Sequence, residues 1–184
     1  MNIFYLDKDP IKSAEMHCDK HVVKMIIEYA QLLSTAHRVL DGVEQIGRTS
    51  NNRKYKRFIL NSNLENILYK STMMNHPSAI WVRKSVHNYQ YTAKLWVALS
   101  NEYTYRYGKR HKSQDVIEWC LSNKPNINDV GFTNPPKAMP DEYKVDDVIE
   151  SYRNYYRGAK SGFAVWKNRE VPEWFYGEEI FINV

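Results

Sequence analysis

Between Val22 and Leu33 the chain places Val22, Val23, Met25, Ile26, Ile27, Tyr29, Ala30, Leu32 and Leu33. At roughly 100° per residue, these side chains cover an arc of about 220° on a helix, far wider than the apolar stripe of a surface helix. Such a segment has to lie at the centre of a helical core. A polar line nevertheless runs along it. His17, His21, Lys24 and Glu28 fall within about 60° of one another on the same helix, and unpaired charge in a dry interior is too costly. The line therefore meets either plain solvent or a polar cleft.

The 184 residues suit one domain that buries about two thirds of its unfolded surface. Periodicity predicts a mostly α, single compact helical domain over 1–184, with a short extended, strand-like segment at 2–6. A turn leads to Pro10, well placed in the first turn of a helix over 11–40. A glycine-containing loop spans 41–52, and a second helix spans 53–74. Asn75-His76-Pro77 breaks it, because the residue before proline is pushed out of the α region. A long helix follows over 79–107, closed by Gly108, then a short one over 113–122. Pro125, Pro135, Pro136 and Pro140 mark a surface loop. The last helix spans 146–167, within an aromatic and basic C-terminal segment at 150–176 that packs down from Pro172. Two cysteines, Cys18 and Cys120, make no disulfide framework, and no stretch is apolar enough for a leader or a membrane span. A soluble, cytoplasmic protein is expected.

Twenty-six Lys and Arg against twenty-one Asp and Glu leave a formal +5, so the distribution of charge matters more than its sum. Aromatic residues, 14% of the chain, often stand beside cations. That pairing suits phosphate contact with base stacking, and equally a core edged with snorkelling cations.

Four constellations carry possible chemistry. His17 and His21 have the i, i+4 spacing of helical zinc ligands. Asp19 and His37 point away from them, so a metal site would need His76 or Glu28 as a third ligand. Alternatively, Glu28 is a proton carrier with His21 and Lys24 tuning it or holding negative substrate. The α-amine of Met1, or of Asn2, lies close in sequence. α-Amines titrate nearer neutrality than lysines, and a neutral amine can attack a sugar C1′ to form an imine. A terminal strand in the core is the alternative. Third, Arg48, Arg53, Lys54, Lys56 and Arg57 surround Asn51, Asn52 and Tyr55, either as a phosphate-contacting helix start or as a solvated face. Fourth, Arg153, Tyr155, Tyr156, Arg157 and Lys160 interleave cations with rings around Gly158, as a DNA-contacting segment or a cation-decorated core helix.

Together the pieces resemble the pyrimidine-dimer DNA glycosylase family of the phage endonuclease V type. In that family a short segment bearing the catalytic amine leads to a helix with a histidine and, seven residues later, a catalytic glutamate, the spacing of His21 and Glu28. The family's arginine before the glutamate is Ile27 here, with Lys24 a partial substitute. Asn75-His76-Pro77 looks like the Asn-His-Pro of the family's shorter bacterial branch, and Tyr152 to Lys160 is similar to its aromatic tail. The resemblance implies a cofactor-free, monomeric DNA glycosylase with abasic-site lyase activity acting on damaged or modified double-stranded DNA, in the host cytoplasm if phage-encoded. Met1 or Asn2 would supply the amine, Glu28 the proton transfers and His21 their orientation. Lys24, Arg53, Lys54, Arg57, His76, Arg153, Tyr155, Tyr156, Arg157 and Lys160 would hold the strand. The rival expectations are a metal-dependent phosphohydrolase or nuclease using His17, His21 and His76, and a non-catalytic nucleic-acid-binding protein.

Overall fold

The N-terminal segment threads the core as an extended strip without pairing into a sheet. Ile3, Phe4, Tyr5 and Leu6 are all buried, so their backbone groups need partners. Side chains supply them: Phe4 N–H donates to the Tyr29 hydroxyl at 3.2 Å and Leu6 N–H to Ser13 Oγ at 3.3 Å, while Arg153 donates to Leu6 O. A computed structural model of the chain describes residues 1–177. The remaining seven residues of the expected domain lie outside that description.

The fold is mostly α. Helices α1 (Pro10–Glu15), α2 (Asp19–Asp41), α3 (Leu64–Ile67), α4 (Pro77–Val82), α5 (Val86–Tyr107), α6 (Ser113–Ser122) and α7 (Val148–Ala159) are joined by one antiparallel hairpin, β1 (Val43–Arg48) and β2 (Lys54–Ile59). Central α2 packs on α4, α5 and α6. Local chemistry sets several boundaries as expected. The Asp9 carboxylate caps α1 ahead of Pro10, His76 caps α4 ahead of Pro77, and α5 stops at Gly108 with φ 67°. No helix among the described residues is long and apolar enough to cross a membrane.

Four expectations are corrected. The helix over 11–40 is two helices, broken at Met16–Cys18. The break persists because its carbonyls are satisfied from afar: Arg106 donates to Glu15 O and His17 O at 2.8 Å each, and Trp166 Nε1 donates to Met16 O at 2.9 Å. His17 is therefore not on α2. The loop at 41–52 and the start of the helix at 53–74 are instead the hairpin, paired from Val43 with Ile59 to Arg48 with Lys54, and the remainder of that helix is reduced to α3. Asn52 at φ 60° turns it, and the Tyr55 ring lies so close over Gly47 that a Cβ there would meet its Cζ at 2.6 Å. The helix at 79–107 restarts at Ser85, whose Oγ accepts from His87 N–H. The helix at 146–167 ends at Lys160, followed by a 3₁₀ turn at Ser161–Phe163. The proline-rich stretch is irregular, as expected, and its Thr133 is clamped by Trp81 Nε1 and by the Asn88 amide. The segment from Pro172 packs Trp174 and Phe175 against the core.

Candidate active site at the amino terminus

The threaded N-terminal strip ends with its amine at the side of α2. The Met1 amine is 3.6 Å from Glu28 Oε2, and Asn2 N–H donates to the same oxygen at 3.3 Å. Lys24 Nζ, one helical turn before Glu28, is 3.3 Å from Oε1. Both carboxylate oxygens thus have a nitrogen neighbour, and Lys24 is largely in solvent while Glu28 is 15% exposed. His76 belongs to the same neighbourhood. Its Nδ1 accepts from Ser78 N–H at 3.1 Å, and burial, then the terminal ammonium, lowers its pKa while Glu28 opposes them.

The terminal backbone is held in place by the Asn2 side chain. Its Nδ2 donates to Ala138 O at 2.8 Å, and its Oδ1 accepts from Ile3 N–H at 2.8 Å and from the Tyr152 hydroxyl at 2.9 Å. Tyr152 is fully buried, and its single hydroxyl proton is shared with Pro136 O, 2.6 Å away. Three distant stretches, the Pro136–Ala138 loop, α7 and α2, therefore fix where the amine sits. Ala138 is marked by neither charge nor motif in the sequence, and Tyr152 stands out only as the first residue of the aromatic segment at 152–160, with nothing there to show that it reaches Asn2.

The polar line divides. His17 is fully buried: Nδ1–H donates to Ser13 O at 2.6 Å, and Nε2 lies 3.0 Å from the Tyr29 hydroxyl. Burial pushes its pKa down to about 4. His21 turns from Glu28 toward α7, with Nδ1 2.5 Å from the Tyr156 hydroxyl and its ring stacked 4.3 Å from Phe4. Burial lowers it to about 3. Both imidazoles are neutral core groups at pH 7, which corrects the expectation that His21 holds negative substrate or orients Glu28. The proposed ligand set of His17, His21 and His76 does not converge, since both His17 nitrogens are engaged and His76 caps α4. Among the described residues no three His, Cys, Asp or Glu side chains are grouped as metal ligands. Conversely Val23 and Ile27, expected in the core, are 42% and 40% exposed beside Lys24 and Glu28.

The α7 cations expected on DNA are bound inward. Arg153 donates to Leu6 O at 3.0 Å and stacks on Trp174. Arg157 donates to Trp174 O at 2.7 Å and pairs with Glu150. Tyr156 is fully buried. Tyr155 and Lys160 remain at the surface edge, where Lys160 Nζ sits 4.3 Å above the Tyr155 ring. Arg53, Lys54 and Arg57 lie on the hairpin instead of a helix, away from this cluster. The chain matches no protein-family model, and no curated protein or solved structure matches it.

Proposed function

We propose that this protein is a DNA glycosylase with abasic-site lyase activity, acting through its terminal amine. The observation that supports this most is the amine beside Glu28: 3.6 Å with Met1 as first residue, and 3.3 Å at Asn2 N if Met1 is removed. Either terminus presents nitrogen to the carboxylate. The neutral amine attacks C1′ and the bond to the base breaks, the base leaving with a proton; the nitrogen lone pair then expels O4′, which takes a proton as the sugar ring opens, and a protonated imine is left at C1′. Glu28 takes up and returns the protons. Removal of a C2′ proton then expels the 3′ phosphate and cuts the strand. Lys24 and His76 supply positive or hydrogen-bonding groups at the rim, where a phosphate would pass.

The test is borohydride trapping. Incubation with duplex DNA containing an abasic site, then borohydride, should give a covalent protein–DNA adduct. Glu28→Gln should retain DNA binding and reduce the trapping rate on the order of 100-fold or more. Acetylation of the terminal amine should abolish the adduct. Bound DNA without an adduct would remove the amine mechanism and leave a non-catalytic binding protein.

A further inference from the structure

The β1–β2 hairpin is an anomaly in charge and in packing. Residues 43–59 carry five Lys and Arg against Glu44 alone, so this stretch holds +4 of the chain's formal +5. Its contacts with the body lie at its base, where Arg38 at the end of α2 donates to Phe58 O and pairs with Glu65. Pairing sets Ile46, Arg48, Lys54 and Lys56 on one face. Ile46 there is 62% exposed. Lys56 pairs with Glu44 and Arg57, on the other face, with Glu65. Among the described residues Arg48, Arg53 and Lys54 are in no ion pair; Arg48 instead braces the turn by donating to Asn52 Oδ1 at 2.8 Å. The tip, Thr49-Ser50-Asn51-Asn52, carries only hydroxyls and amides.

We propose that this hairpin is a DNA-binding wing that lies in the major groove of the duplex, its cations on the flanking phosphates and its polar tip toward base edges. This rests on the reading of the protein as a DNA enzyme. A two-stranded ribbon fits the roughly 12 Å major groove, and hydroxyl and amide side chains pair with base edges. A bilayer-binding hairpin would carry apolar residues at its tip, and this one has none. The geometry also sets a distance. Thirteen helical residues separate Glu28 from Asp41, about 20 Å along α2 at 1.5 Å each. With base pairs about 3.4 Å apart, that separation places the root of the hairpin, which follows Asp41, several base pairs from the nucleotide beside Glu28.

The probe is a 30-base-pair duplex with a central tetrahydrofuran abasic analogue, bound by the full chain at about 50 to 200 mM salt. For Arg53→Ala/Lys54→Ala the slope of log affinity against log salt should become shallower by about 2, one phosphate contact for each of these two cations outside any ion pair. On the wild-type complex, guanine N7, which lies in the major groove, should be protected from methylation at base pairs flanking the analogue. An unchanged slope with the melting temperature preserved overturns the wing, and so does unprotected N7. The two readings fail separately: a trapped adduct with an unchanged slope removes the wing alone, and a shallower slope without any adduct removes the lyase alone.

Discussion

The hairpin and α7 are written in the same residues and serve opposite ends. Each combines Arg, Lys and Tyr with one glycine, at 47–57 and at 152–160. In the hairpin, Tyr55 is 41% exposed and three cations have no acidic partner among the described residues. In α7, Tyr152 and Tyr156 are fully buried, and Arg153 and Arg157 satisfy backbone carbonyls. A cation beside a ring is thus available to a ligand only where the fold leaves it without an internal partner.

The largest contrast should come from truncating one tyrosine in each region. Tyr156→Ala removes a fully buried ring and the partner of His21, which should cost about 3–5 kcal/mol. At roughly 2–4 °C per kcal/mol for a chain of this size, the melting temperature should fall by about 10 °C. Tyr55→Ala should change stability by less than about 1 kcal/mol. Equal losses on a thermal melt would break the contrast.

A second difference appears with pH. His21, which α7 holds through Tyr156, is pushed down to about 3, and His17 and His37 to about 4, each chiefly by burial. Unfolded histidine titrates near 6.5. Between these limits the unfolded chain binds more protons, so stability rises with pH from about 4 to 6.5 and is level above. His17 alone contributes on the order of 3 kcal/mol to that rise. The melting temperature should therefore drop from pH 7 to pH 4.5, before most carboxylates titrate. A flat profile over that range would show these imidazoles to be solvated.

Much of the helical frame is legible in the sequence because it depends on local rules. Pro10, His76-Pro77, Gly108 and the 113–122 helix act through neighbouring residues. What escapes is set from far away. The break at Met16–Cys18 depends on Arg106 and Trp166, and the strip at Ile3–Leu6 depends on Tyr29 and Arg153. The hairpin hid behind Phe58-Ile59-Leu60, a run that fits a helix as well as a strand. The pairing of Glu28 with the amine follows the same pattern: spacing on α2 singles out Glu28, but only Asn2, Tyr152 and Ala138 bring the terminus to it. Helical angle alone also places His17 and His21 with Glu28, whereas the Tyr29 and Tyr156 hydroxyls hold the two imidazoles elsewhere.

Arg153 gives a smaller effect than Tyr156 and the sharpest test. Its guanidinium donates twice to Leu6 O, lies 3.8 Å from Asp7 and stacks on Trp174, so it ties the N-terminal strip to α7 and the C-terminal segment. Arg153→Ala leaves a buried carbonyl without its partner and should cost about 1–3 kcal/mol. Its charge is already used internally, so the salt dependence of DNA affinity should keep its slope. Two unpaired hairpin cations should behave in reverse: Arg53→Ala/Lys54→Ala should shift stability within about 0.5 kcal/mol while making that slope shallower. The two measurements on the two variants form a crossed pair. If Arg153→Ala also flattened the slope, α7 would carry phosphate despite its inward bonds, and internal satisfaction would no longer separate the scaffold cations from the binding ones.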